Sequence, residues 1–148
     1  MTELPKSLAD NRRLDRWLRF AAGQVHVSVG KVEIGQGIST ALAQIAAEEL
    51  DVALTRLVWR AGDTALAPDE GSTSSSLSIE IGGAALRLVC AETRALFLAE
   101  AARLLNAAPE DLDIEDGVVL RDATPPATTT GPWHPASTSP ATPAAWRR

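Results

Sequence analysis

The chain has one cysteine, two histidines and no tyrosine. Cys90 alone cannot close an internal disulfide, so a reducing, cytoplasmic setting is expected. Two separated histidines, His26 and His134, and one cysteine do not make a zinc or iron site. No apolar run reaches the roughly 20 residues that a membrane span needs. The opening Met1-Thr-Glu-Leu-Pro-Lys6 has neither the basic start nor the apolar segment of a signal peptide. Basic excess is missing too, and a net charge of −5 argues against a nucleic-acid surface. No Ser-His-Asp arrangement stands out. What is left, 148 residues of ordinary apolar content, bounds the chain to one domain with a moderate core and a tail.

Residues 1 to 11 are polar and read as irregular, and Arg12 to Phe20 mixes charges with Leu14, Trp17, Leu18 and Phe20. A strand is expected from Trp17 to Ala21. After the turn Ala22-Gly23, the strict alternation of Gln24-Val-His-Val-Ser-Val29 makes a second strand and a hairpin. Val32 to Ile34 extends that strand or starts another. Ile38, Leu42, Ile45 and Glu49, with Ala46 and Leu50, fall at helical spacing, so a helix runs from Ile38 to Leu50. Glu48 and Glu49 sit in its last turn, where the helix dipole disfavours acids.

Arg56 to Arg60 reads as a strand, and Ala65 to Ser78 as a long loop, a length more often functional than structural. A second helix, beginning at Leu77 or Ile79, carries Leu86, Val89, Cys90, Thr93, Leu96, Phe97, Ala101 and Leu104 to Leu105. Gly82-Gly83 near its start weakens the helix by about 1 kcal/mol per glycine relative to alanine, tolerable where something approaches the backbone closely. Asp116-Gly117 between Leu112–Glu115 and Val118–Leu120 signals a hairpin. The remainder is Pro, Thr, Ala and Ser without periodicity. The expected fold is α+β, a two-layer sandwich in which a small mixed sheet carries two helices on one face, in the order β-β-α-β-α-β-β. The expected division is an N-terminal segment, 1–16; a folded unit, 17–121; and a disordered tail, 122–148.

Two stretches can carry chemistry. In Gly35-Gln36-Gly37, glycines allow a tight turn and close approach to peptide N–H groups. The helix that follows offers free donors and about half a positive charge, which suits a phosphate. Gln36 can donate and accept at once. An ordinary strand-to-helix turn explains the same residues, and a P-loop is excluded because its Lys-Ser/Thr is missing. The second stretch, Gly71-Ser-Thr-Ser-Ser-Ser-Leu-Ser78, places hydroxyls and amides ahead of a helix start. A flexible loop with a serine cap is its plain alternative. Asp63, Asp69 and Glu70 read as solvated turn residues, without EF-hand spacing. Cys90 reads as core.

Taken together, Lys31-Val-Glu-Ile-Gly-Gln-Gly-Ile38, Thr40-Ala-Leu-Ala-Gln-Ile-Ala-Ala-Glu-Glu-Leu-Asp-Val52, Gly62-Asp-Thr-Ala65, Pro68-Asp-Glu-Gly71 and Gly82-Gly-Ala-Ala85 resemble the molybdopterin-binding large subunit of the xanthine dehydrogenase and aldehyde oxidase family. The opening Leu4-Pro-Lys-Ser-Leu8, with Asn11, Leu14, Asp15 and Trp17, resembles its isoquinoline 1-oxidoreductase and nicotinate dehydrogenase branch. The resemblance covers residues 4 to 121.

It implies hydroxylation of an electron-poor carbon in an N-heterocycle or aldehyde. Water is the oxygen source, and the metal is held by the pterin dithiolene rather than by side chains. The implied cofactor is molybdopterin, with the cytosine dinucleotide as a candidate form. Its implied contacts are Gly35, Gln36, Gly37, Ser74, Ser75, Ser76 and Ser78. The implied partners are an iron–sulfur small subunit and the remainder of the large subunit. The catalytic glutamate of the family lies far towards the C-terminus of its longer chains, and Glu33, Glu70 and Glu80 do not take its role. Position 72 is Ser where a larger residue is expected. The expectation is therefore part of a cofactor clamp, inactive alone, with a tail from a shifted reading frame. The rival is a non-catalytic small-ligand or protein-binding module on the same sandwich.

Overall fold

The computed structural model describes residues 4–122, so the expected tail beyond Asp122 lies outside the described residues. A short helix α1 (Lys6–Asp10) leads into the antiparallel hairpin β1 (Leu18–Ala21) and β2 (Gln24–Val29). Helix α2 (Ile38–Leu50) then crosses to β3 (Leu57–Ala61), which lies parallel to β2 in a sheet of order β1-β2-β3. Parallel neighbours require such a crossover, and here one helix supplies it. Helix α3 (Ala84–Leu105) follows, then the hairpin β4 (Leu112–Glu115) and β5 (Val118–Arg121), a two-stranded sheet of its own. The α+β architecture is as expected, and α2 has the bounds read from its periodicity.

Three local differences have physical reasons. Residues 6–10 are helical rather than irregular, and Leu8 and Leu14 join the same core as Trp17, Val25, Leu42 and Val89. Val32 to Ile34 is not a strand: Val32 N donates to another loop, described below, and Ile34 N to Gln36 of its own loop. The α3 rod begins with a π-helical segment, Ser78–Gly83, before the regular α-helix. No side-chain periodicity announces a π segment, which arises where packing forces a wider turn and is frequent at functional sites.

The core follows from the pattern. Val25, Val27 and Val29 alternate onto one face of β2 and are fully buried against α2 and α3. Gly83 lets the rods meet, since a Cβ there would stand 3.2 Å from Ile45 Cδ1. The acid at the end of α2 is also accounted for: Arg87 of α3 donates to Glu49 Oε1 at 2.5 Å.

Candidate functional site

Because β2 and β3 are parallel, the chain leaves both at the same edge of the sheet, where Val29 pairs with Ala61. In open parallel sheets this carboxyl edge is where ligands bind. The first loop, 30–37, follows β2, and the second, 62–77, follows β3.

The two loops touch. Gly30 N donates to Glu70 Oε2 at 2.7 Å, and Val32 N to Thr73 Oγ1 at 3.0 Å. Between them Lys31 Nζ donates to the carbonyls of Glu70 and Ser72, both at 2.8 Å. Lys31 is only 3% exposed. Burial pushes the Glu70 carboxyl above its ordinary pKa, against the opposing pull of the Gly30 amide and the Lys31 charge. Its Oε1 is buried and makes no hydrogen bond of good geometry; the Ser7 hydroxyl nearby exerts a weaker pull. Glu70, read from the sequence as a solvated turn residue, is thus a half-buried partner of the first loop.

Within the first loop, Gly35 and Gly37 hold φ of +93° and +77°, which only glycine adopts without strain. The expected free donors are taken. Glu33 accepts from Gly35 N, Gly37 N and Ser39 N at 2.8, 2.9 and 3.0 Å. Its carboxylate therefore stands where an external anion was expected at the start of α2, and these amides hold its pKa below the usual range. Gln36 folds back as well: Oε1 accepts from Ile34 N at 2.6 Å, and Nε2 donates to the Val32 carbonyl at 3.0 Å. The motif is a turn completed by its own side chains.

The second loop is different. Leu77 N donates to the Ser74 carbonyl at 3.1 Å, closing a turn whose central residues, Ser75 and Ser76, have φ of +53° and +59°. Each left-handed non-glycine residue costs about 1–2 kcal/mol. Ser74, Ser75 and Ser76 are exposed, and among the described residues their hydroxyls have no hydrogen-bond partner. Ser78 is buried and opens the π segment. Further back the loop is tied to the N-terminal segment: Asn11 exchanges hydrogen bonds with the backbone of Asp69, and Arg16 donates to the carbonyls of Ala65 and Ala67.

The structure thus places six of the seven sequence-derived site residues on these two contacting loops, and the seventh, Ser78, at the start of the π segment that follows the second. Among the described residues no hydrogen bond joins Gln36 to the serines. Sequence reasoning missed Lys31, Glu33 and Glu70. Lys31 had a readable signal, a lone base inside an apolar β-type run, but its acceptors are backbone carbonyls some forty residues away, which no pattern shows.

Other features carry less chemistry. A cavity of about 360 Å³ at the far end of α2 is lined by Glu48, Glu49, Asp51, Arg87 and Arg94. Its charges are spent partly on ion pairs, Arg87 with Glu49 and Arg94 with Asp113. Among the described residues no cluster of three or more His, Cys, Asp or Glu could hold a metal, and no helix is long and apolar enough to cross a membrane.

A family model described as the molybdopterin cofactor-binding domain matches residues 18–138. A nicotinate dehydrogenase subunit of Pseudomonas putida is 43% identical over 98 residues, which are 66% of this chain and 8% of that protein. The 6-hydroxypseudooxynicotine dehydrogenase complex subunit gamma of Paenarthrobacter nicotinovorans is 42% identical over 100 residues, 65% of this chain and 12% of that protein. Among solved structures, quinoline 2-oxidoreductase from Pseudomonas putida 86 superposes with a TM-score of 0.61 at 35% identity, covering 70% of this chain and 13% of that one. The chain therefore spans about a tenth of the length of the curated relatives it matches.

Proposed function

Because this chain belongs to the molybdopterin cofactor-binding domain family, we propose that its two loops form part of the molybdopterin site of a molybdenum hydroxylase large subunit acting on N-heterocycles or aldehydes. The observation that carries this reading is the convergence of the two loops at the carboxyl edge of β2 and β3, joined through Lys31 and Thr73. In this reading Gly35, Gln36, Gly37, Ser74, Ser75, Ser76 and Ser78 contact the cofactor, the unit that does so is 17–121, and the chain is inactive alone.

The residues fit such a group, with a division of labour. Glu33 already fills the α2 amides, so the phosphate goes to the hydroxyls and strained backbone of Ser74–Ser76. Gly35 and Gly37 leave open space, with nothing within 4 Å of where a Cβ would stand, so a flat ring can lie against that turn. Gln36 would present its amide to the ring by exchanging one of its two internal bonds. When bound, the cofactor would supply the redox chemistry, taking up two electrons from the carbon being hydroxylated. The protein's part is to hold and orient it.

The same reading includes a cytoplasmic setting, an iron–sulfur small subunit and the remainder of a large subunit as partners. Its support is that both dehydrogenase relatives are themselves subunits, one of them of a dehydrogenase complex. It also includes the cytosine dinucleotide form of the cofactor. The test is to express the full chain in a host that makes the cofactor, purify and denature it, then measure pterin fluorescence and molybdenum. Stoichiometric pterin that drops in a Ser74→Ala/Ser76→Ala variant is expected, and acid release of cytidine monophosphate identifies the dinucleotide. A folded chain with neither pterin nor metal would leave the binding-module alternative in its place.

A further inference from the structure

We propose that Lys31 is the positioning residue that sets the spacing of the two loops and so the shape of the site between them; the second part rests on the function proposed above. An ammonium at 3% exposure is costly unless well partnered. Here its partners are two carbonyls, of Glu70 and Ser72, on either side of Gly71, whose φ is +65°. Drawing both carbonyls to one nitrogen fixes the bend of the second loop at that glycine. The flanking residues reinforce the contact, because Gly30 bonds to the Glu70 side chain and Val32 to that of Thr73. Three successive residues of the first loop thus each bond into the second.

The third side is closed by the π segment. A Cβ on Gly82 would stand 2.9 Å from Glu70 Oε1 and 3.4 Å from Lys31 Cγ, so the glycine leaves room for the lysine and the carboxylate together. The N-terminal segment ties the second loop at Ala65, Ala67 and Asp69, whereas the side-chain bonds reaching across from residues 70–73 go to the first loop. Ser74–Ser76 therefore take their position relative to Gly35-Gln36-Gly37 from Lys31 and its two neighbours.

Amide hydrogen exchange on the full chain without cofactor tests this, comparing the native protein with Lys31→Met and Lys31→Arg. Methionine keeps the volume of the stem and removes the donor; arginine keeps a cation with donors. In Lys31→Met, the amides of Val32 and 71–77 are expected to exchange about tenfold faster or more, the scale of a lost charge-assisted hydrogen bond, while 24–29 and the self-completed turn 34–37 keep their rates. Lys31→Arg is expected to recover part of the protection. Native-like loops in Lys31→Met, or equal acceleration of 24–29 and the loops, would overturn the proposal. Should Lys31→Met fail to fold, Thr73→Val removes one neighbouring acceptor at little cost in shape; faster exchange confined to Val32 and 71–77 supports the seam, and an unchanged pattern overturns it. Failure to retain pterin would remove the cofactor reading and leave these rates as they are, so the two failures are distinguishable.

Discussion

The loop after β2 and the loop after β3 meet at one edge of the sheet yet hold their shapes by different means. The first is completed from within: Glu33 accepts from three amides, and Gln36 both accepts from and donates to its own backbone. The second closes its turn of two left-handed serines with one backbone bond, has short turns of its own at Asp63 and Asp69, and for the rest leans on Asn11, Arg16 and Lys31 from elsewhere in the chain. A turn that fills its own donors keeps its shape without a ligand. A strained turn with unpartnered hydroxyls is where a ligand has most to offer, because its polar groups are available and its conformation is costly. The comparison places rigidity in the glycine motif and unused hydrogen-bonding capacity in the serine turn.

The largest effect is expected where the loops meet. Gly30→Ala would set a Cβ 2.6 Å from the Pro68 carbonyl oxygen and 3.0 Å from Glu70 Cβ. The nearest atom is backbone, so the second loop must move as a whole. A loss of about 2–3 kcal/mol in urea unfolding is expected, at the upper end of overpacking costs. An unchanged midpoint would show that the seam is loose and that the loops do not depend on each other.

Next in size is Glu33→Ala, which separates the loops rather than the seam. Exchange at Gly35, Gly37 and Ser39 should accelerate while 71–77 keeps its rate; acceleration in both would mean that the second loop depends on the shape of the first turn. The two carboxylates should also respond to pH with opposite sign. The folded pKa of Glu33 is lowered, so its contribution is fully present above the unfolded value near 4.3 and is lost as pH falls through the lower folded value. That of Glu70 is raised, so its contribution declines as pH climbs from the unfolded value through the folded one. Glutamine stands in for the protonated acid in both, so across pH 3 to about 7 the melting curves of Glu33→Gln and Glu70→Gln should approach the native protein at the acid end and part from it towards neutral pH, Glu33→Gln melting lower and Glu70→Gln higher.

How much of this was legible in the sequence depends on how local each cause is. The α2 bounds and both hairpins follow from short-range spacing and turn chemistry, including Asp116 and Gly117 at φ of +44° and +73°. Glycine and serine clusters are visible as such and marked the two stretches, while the seven candidate contacts within them were named through the family resemblance. The packed N-terminal segment, the π segment and the Lys31–Glu70 seam could not, because each is created by residues distant in the chain. Leu8 looks like a stray apolar residue until the core closes on it. Glu33 illustrates the same limit at short range. Its place two residues before Gly35 was visible, but whether an acid there repels a ligand or caps the helix depends on the backbone path, and here it caps.

The smallest effect is the one that bears most directly on the second loop. Replacing Ser76 by glycine removes a left-handed penalty of about 1–2 kcal/mol and adds about 0.5–1 kcal/mol of chain flexibility to be lost on folding. The chain should therefore gain stability, by at most about 1.5 kcal/mol, and the same sign is expected for Ser75→Gly. If the strain at φ of +53° and +59° is maintained for a ligand, Ser76→Gly should melt slightly higher and retain less pterin, since a relaxed turn has more conformations to lose on binding. Lower stability would mean that the serine side chain supports the turn in some further way. Higher stability with undiminished pterin would mean that the strain is incidental to binding, and the contrast between the loops would then reduce to hydrogen bonding alone.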